Sequence, residues 1–254
     1  MARLGVIGGS GLYGLDPHDV TEAPEGTAGA GFSGADAFVE TPWGLTSGPV
    51  TFSEVGGGVA FVARHGIDHS LAPHRVNYRA NIHALREAGC DRILAISSVG
   101  GIGPDCVPGA LVVPDQLIDY TWGREMTFQR EGDPVVHFDF TDPYSPDWRR
   151  QIVEGLAGLN IDFIEGGTYA AMQGPRFESA AEIRRLANDG CSVVGMTGMP
   201  EAILAREAGL EYAAVCPVGN LAAGISAEEL KMGDVIAAVG PGMERITALI
   251  STLA

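Results

Sequence analysis

Between Cys191 and Gly209 the chain runs strand, tight turn and helix without a spacer, and that order narrows the folds open to it. Cys191-Ser-Val-Val194 is apolar and β-branched, the composition of a buried strand. Ala202-Ile-Leu-Ala-Arg-Glu-Ala-Gly209 follows as a helix former stopped by glycine. The turn, Gly195-Met-Thr-Gly-Met-Pro-Glu201, puts Pro200 and Glu201 into a first helical turn. There a missing N–H costs little and a carboxylate faces the positive end of the helix dipole. Thr197 is then set where backbone N–H groups and a hydroxyl can converge on an anion, with Gly198 letting the chain come close.

The same alternation recurs along the chain. Arg3-Leu-Gly-Val-Ile7 reads as the first strand and runs into Gly8-Gly-Ser-Gly-Leu12. Val50–Val55 and Val59–Ala63 flank a glycine triplet and predict a hairpin. Arg75–Ala88 carries apolar residues at helical spacing and closes on Gly89; Arg92–Ser98 is a buried strand ending in Ser97-Ser-Val-Gly-Gly101. A short strand at Leu111–Val113, a helix at Asp147–Leu159 and strands at Gly167–Met172 and Tyr212–Val218 follow. A last helical region after Ala227 is expected to break near Gly240-Pro-Gly242. Residues 14–36 read as a long surface loop, and 119–145 has aromatics and charges but no period, which marks a functional or interface loop. Strands alternating with helices, without repeat or linker, mean an α/β fold with a largely parallel central sheet and ligands at the strand carboxyl ends.

Sixteen basic against 32 acidic side chains leave a net charge of −16 with no basic stripe, so nucleic acid and anionic membrane are poor partners. No apolar run approaches the roughly 18 residues of a spanning helix, and no basic leader opens the chain, which predicts a soluble, cytoplasmic protein. Cys90, Cys106, Cys191 and Cys216 lack metal spacing and read as reduced structural thiols.

Several motifs sit at strand ends. Gly9-Ser-Gly-Leu-Tyr-Gly14 matches a dinucleotide fingerprint in letters, but Pro17, Pro24 and the glycines that follow oppose the helix that fingerprint needs. A loop whose amides and Ser10 hydroxyl cradle a free phosphate fits better. Arg64 and His65 follow a strand and suit an anion clamp, although Arg64 also reads as a surface ion-pair partner. His65, His69 and His74 invite a metal, but Gly66 and Pro73 prevent one helix from presenting all three and no cysteine or carboxylate completes a set. Phe177, in Gln173-Gly-Pro-Arg-Phe177, is either a core residue or a ligand platform. Asn220, in Gly219-Asn-Leu-Ala222, either stabilises a turn or meets a ligand, and His137 is a loop histidine.

Taken in order, Ile7-Gly-Gly-Ser10, Ala63-Arg-His-Gly66, Pro73-His-Arg-Val-Asn-Tyr78, Gln173-Gly-Pro-Arg-Phe177 and Gly195-Met-Thr-Gly-Met-Pro-Glu201 resemble the trimeric purine nucleoside phosphorylases, in the branch acting on 5′-methylthioadenosine and S-methyl-5′-thioinosine. The resemblance implies a single-domain α/β fold over residues 1–254 with a mixed, partly barrel-like central sheet flanked by helices. It implies a homotrimer or hexamer, phosphate as co-substrate, and neither metal nor organic cofactor. It makes Ser10, Arg64, His65, Ser98 and Thr197 the phosphate site, Met196 the residue under the ribose, Phe177 the one packing on the base, and His137 the one a neighbouring subunit inserts near the 5′ substituent. Gly233, Ile236 and Ala237 match the 5′ pocket.

One departure is informative. The resemblance places aspartates at the positions of Asn220 and Ala222 in the adenine-specific branch. Asn220 offers a donor and an acceptor at once, which suits a 6-oxopurine. The expected reaction is therefore phosphorolysis of S-methyl-5′-thioinosine, inosine or guanosine, with Arg64, His65 and Asn220 at its centre. The alternatives are 5′-methylthioadenosine as substrate, a nicotinamide-dependent oxidoreductase, and a nucleoside binder without activity.

Overall fold

A computed structural model describes residues 3–9, 38–53, 58–226 and 232–254. Thirteen strands are found there: β1 (Arg3–Gly8), β2 (Glu40–Thr41), β3 (Gly44–Leu45), β4 (Val50–Ser53), β5 (Val59–Ala63), β6 (Cys90–Ile96), β7 (Val99–Gly101), β8 (Leu111–Val113), β9 (Gln116–Asp119), β10 (Ile164–Glu165), β11 (Thr168–Ala171), β12 (Cys191–Gly195) and β13 (Glu211–Leu221). Five helices accompany them: α1 (Tyr78–Glu87), α2 (Pro146–Gly158), α3 (Ala180–Asn188), α4 (Gly198–Glu207) and α5 (Met232–Leu253).

The 11-stranded sheet runs β4-β5-β1-β6-β13-β7-β12-β11-β9, with β8 and β10 branching from β13. It is mixed. β1 pairs parallel with β5 and β6, and β11 parallel with β12 and β9, while β4–β5, β7–β12 and β8–β13 are antiparallel. β13 is the spine: Glu211–Val215 lie parallel to β6, Cys216 and Pro217 face β8, and Val218–Leu221 turn to β7 through an irregular register. One continuous strand thus carries Asn220 from the core to the edge of the site.

Local chemistry explains the helices. Asn77 caps α1 by accepting the Ala80 N–H at 3.2 Å. Ser179 and Glu182 form a reciprocal capping box at α3. α1 packs on α4, and α2 on α5 and β13. Trp148 of α2 is fully buried, and its indole N–H donates to Ile93 O of β6 at 2.9 Å, so the large apolar ring leaves no unmet donor.

The expected hairpin, the helix at 147–159 and the alternating α/β plan are observed, with end shifts of a few residues. Residues 120–145 carry neither helix nor strand. Two expectations are corrected. The last strand does not stop at Val218 but continues through Asn220, because pairing with β7 outweighs the punctuation of Pro217 and Gly219. The final helix is not broken at Gly240-Pro-Gly242: α5 passes through Pro241, held by burial of Met243, Ile246, Leu249 and Ile250, with Gly242 close against Leu111 and Pro217. The loop expected at 14–36 and any helix after the first glycine loop lie outside the described residues.

Candidate active site

The carboxyl ends of β1, β5 and β6 and the start of α4 meet at Arg64, which is the knot between them. The residue is 1 % exposed. Nε and Nη2 donate to the two oxygens of Glu201 at 2.8 Å each, Nη1 to Ile96 O at 2.8 Å and Nη2 to Ile7 O at 3.2 Å. Burial opposes the cation, yet the Glu201 carboxylate raises the Arg64 pKa above its ordinary value. The anion clamp expected of Arg64 is thus already closed on a carboxylate, leaving one Nη1–H uncommitted among these contacts. Glu201 also accepts the Tyr212 hydroxyl at 3.0 Å.

His65 is buried beside it. Its Nδ1–H donates to Leu71 O at 2.8 Å, so Nε2 is the ring nitrogen left to accept. Burial, then the Arg64 charge, lowers its pKa to about 4, and the ring is neutral at pH 7. The neighbouring His69 ring lies 4.6 Å away, centroid to centroid, and its ring atom Cε1 comes near Gly9 at the end of β1. Among the described residues no group of three His, Cys, Asp or Glu is placed to hold a metal. The four cysteines are buried and unbridged, and burial pushes the Cys90 and Cys216 thiols up to about 12, away from thiolate chemistry.

Thr197 stands at the N-cap position of α4 without a side-chain cap bond, and the contacts of its turn differ from expectation. Its hydroxyl pairs with Ser97 at 3.0 Å, while the Thr197 and Gly198 N–H groups donate to the Tyr169 hydroxyl at 3.3 and 3.4 Å. A Cβ on Gly195 would lie 2.1 Å from that hydroxyl, and one on Gly198 2.9 Å from the ring. Glycine is needed here for close approach of Tyr169. Ser97 is buried and Ser98 exposed, with the Ser98 hydroxyl near Gly219.

Three further segments flank this cluster. Met196 crosses Gly174, whose Cβ position lies 2.5 Å from the Met196 sulfur and whose φ of +62° suits glycine. Arg176 forks to Glu182 at 2.8 Å through both Nη groups and donates to Phe177 O at 3.0 Å, pinning the loop on the α3 capping box. Phe177 is 39 % exposed. Glu178 is 9 % exposed, and burial raises its carboxyl pKa. The Gly224 turn, after β13, packs on Ala180 at the start of α3, two residues past Glu178. Asn220 donates one amide N–H to Leu221 O at 2.8 Å, keeping its second N–H and Oδ1, and Gly100 leaves room for the amide.

Arg64, His65, Ser97 and Thr197 therefore form one cluster; Met196 adjoins it in sequence and meets Gly174 of the loop that carries Phe177, and Asn220 lies beside Gly100. Val235 and Val239 of α5 face Gly219, whereas Ala237 is exposed. Ser10 and the side chain of Ile236 lie outside the described residues. His137 is exposed on the 120–145 loop and not joined to the cluster within one chain. Sequence reasoning missed Glu178, although a carboxylate directly after a strand-end aromatic was a readable signal. It also missed Tyr169 and the Arg64–Glu201 pair, whose partners are remote in sequence.

Residues 3–254 match the model of the Phosphorylase superfamily. A probable S-methyl-5′-thioinosine phosphorylase of Xanthomonas campestris is 48 % identical over 99 % of this chain and 96 % of its own length. A 6-oxopurine nucleoside phosphorylase of Pyrococcus furiosus is 42 % identical over 98 % and 91 %. The solved structure of a methylthioadenosine phosphorylase from Schistosoma mansoni with adenine superposes at a TM-score of 0.87, with 29 % identity, covering 100 % of this chain and 92 % of that one. A full-length family match, relatives near half identity and a shared fold together carry one conclusion: the chain belongs to the phosphorylase superfamily.

Proposed function

We propose that the protein cleaves 6-oxopurine nucleosides with phosphate, S-methyl-5′-thioinosine foremost and inosine and guanosine beside it, releasing hypoxanthine or guanine and the ribose 1-phosphate. The observation that supports this reading is a neutral amide, Asn220, near the end of β13, together with a buried carboxylate, Glu178, two residues before the Ala180 on which the Gly224 turn packs. That both meet one edge of the base is part of the proposal. A 6-oxopurine presents an N1–H donor and an O6 acceptor side by side. The carboxylate accepts from N1–H, and the free amide N–H of Asn220 donates to O6 or N7. Adenine presents an acceptor at N1, which gives an accepting oxygen of Glu178 no hydrogen to meet.

In the reaction a phosphate oxygen bonds to C1′ as the N9–C1′ bond breaks. The purine leaves with the bonding pair, and the Asn220 N–H meets the charge that develops on it. Phosphate is itself a nucleophile, so positioning supplies the catalysis. The phosphate site is assigned to Ser10, Arg64, His65, Ser98 and Thr197. The Thr197 hydroxyl, the remaining Arg64 Nη1–H and His65 Nε2 support it; neutral Nε2 accepts from a protonated phosphate oxygen. Met196 is assigned to the ribose, Phe177 to the base, and Ile236 to the 5′ substituent.

The chain is read as one domain over 1–254 that works without a cofactor, in the cytoplasm, as a homotrimer or hexamer. No described helix is long and apolar enough to cross a membrane. His137 is assigned to the site of a neighbouring subunit, because the loop carrying it exposes Val135, Val136 and Phe138. A second reading, 5′-methylthioadenosine as substrate, is favoured by the name of the Schistosoma mansoni enzyme of the same fold. Release of hypoxanthine and adenine from inosine, adenosine and their 5′-methylthio analogues, with and without phosphate, decides between them. Faster adenine release would overturn the 6-oxopurine assignment, and no phosphate dependence would overturn phosphorolysis.

A further inference from the structure

We propose that Arg124, on the loop after β9, is a positioning residue that clamps the base-side loop to the ribose-side turn; the proposal rests on the phosphorolysis reading above. Its guanidinium reaches both segments at once. Nε donates to Gln173 Oε1 at 3.2 Å, and Nη2 to Gln173 O at 2.8 Å and Met172 O at 3.3 Å. Nη1 donates to Met196 O at 2.9 Å, to Met199 O and to the Tyr78 hydroxyl at 3.2 Å. The Tyr78 ring lies 5.6 Å from the guanidinium carbon, within cation–π range. All five N–H donors are in use.

The place of these contacts gives them meaning. β11 and β12 pair in register up to Ala171 and Gly195, and the Met172 N–H still donates to Gly195 O at 2.8 Å. Beyond that point the strands part, one leading to Phe177 and Glu178 and the other to Met196 and Thr197. Arg124 spans the gap with a planar fork. Lysine, with a single ammonium, cannot meet four carbonyls and a side-chain amide spread around a plane.

The two sides do not depend on Arg124 equally. The Thr197 turn has independent anchors in Glu201–Arg64, Ser97 and Tyr169. Gln173 is held through Arg124 and by the Trp122 N–H, from the same loop, at 3.2 Å. Loosening the clamp therefore displaces the nucleoside walls more than the phosphate donors. Misplacement of a bound reactant by about 1 Å costs on the order of 10²-fold in rate.

Arg124→Ala and Arg124→Lys, checked for folding by circular dichroism and thermal melting, would be compared with the wild type for kcat and for the KM of nucleoside and of phosphate separately. The expected result is a fall in kcat/KM for the nucleoside of about 10²-fold in the alanine variant and at least about 10-fold in the lysine variant. Phosphate KM should stay within about threefold, a change of under 1 kcal/mol. Added methylguanidinium should restore part of the activity of Arg124→Ala and none of that of Arg124→Lys. A lysine variant with wild-type constants, or equal losses for both substrates without rescue, overturns the clamp. A wild type silent on every nucleoside overturns the reading beneath it instead.

Discussion

Arg64 and Glu201, 137 residues apart in sequence, meet as a two-point fork with both N–O distances at 2.8 Å, and neither is open to water. The pair joins the end of β5 to the first turn of α4, so it sets the distance between the two strand ends that carry the proposed phosphate donors. A buried pair of this kind adds little net stability over a well-packed apolar pair, but breaking it leaves an uncompensated charge. Arg64→Ala should therefore cost about 3–5 kcal/mol of folding stability and not read phosphate binding cleanly. Urea unfolding at pH 7 checks this. A variant as stable as the wild type with a sharply raised phosphate KM would show that the guanidinium serves phosphate and not Glu201.

His65 links burial to pH. The unfolded chain takes up its proton near the ordinary pKa of 6.5, the folded chain only near about 4. Between those values the unfolded state holds more protons, so stability falls as pH drops through the window. Full protonation corresponds to about 3 kcal/mol. Unfolding free energies measured from pH 7 to pH 4 should show this loss in the wild type and a flatter profile in His65→Gln. Saturating phosphate should offset part of it, since a bound anion favours the imidazolium. Parallel profiles for the two proteins would place the acid sensitivity elsewhere.

The 120–145 loop supplies a test of assembly. Trp122 is 73 % and Val135 74 % exposed, and large apolar side chains grouped on one loop mark a contact surface. Light scattering should give a trimer or a multiple of it. Val135→Glu with Val136→Glu should shift the mass toward monomer and lower activity with it, because His137 would no longer reach a neighbouring site. A fully active monomer would remove both the assembly and that role of His137.

The α/β plan was legible because β-branched runs and amphipathic stretches differ in period, and several strands, β1, β4, β7 and β12 among them, end in glycine or serine. Less was legible where distant partners decide the outcome. Pro217 and Gly219 argue against a strand, yet β7 and β8 pair with β13 from either side and carry it through to Leu221. Pro241 argues for a break, yet the buried face of α5 holds the helix together. At the site, spacing pointed to Arg64, His65 and Thr197 but not to their state. Glu201 had been readable only as a helix-dipole residue, and Tyr169 as a strand residue, because contact across the sheet leaves no local pattern.

Asn220 and Glu178 give the sharpest test of substrate choice. Asn220→Asp would set a second carboxylate against O6 of a 6-oxopurine, acceptor against acceptor with no proton between them. Sites built on such polar matches discriminate by up to about 10⁴-fold, because a mismatch leaves buried groups unpaired. The variant should lose kcat/KM for S-methyl-5′-thioinosine and gain relative activity on 5′-methylthioadenosine, and the conversion should be partial because Ala222 supplies no further carboxylate. Glu178→Gln removes the charge but keeps an oxygen that accepts from N1–H. Loss of a charge-assisted hydrogen bond is worth about 1.5–3 kcal/mol, or roughly 10–100-fold for the 6-oxopurine substrate. The amide can rotate to donate to adenine N1, so this variant too should move toward the adenine nucleoside. Both effects are read as the ratio of kcat/KM for the two methylthio nucleosides at saturating phosphate. An unmoved ratio in either variant would show that the residue changed does not read purine position 6 or its neighbour N1. A wild type that already prefers the adenine nucleoside would show that the neutral amide and the buried carboxylate do not set the choice of base.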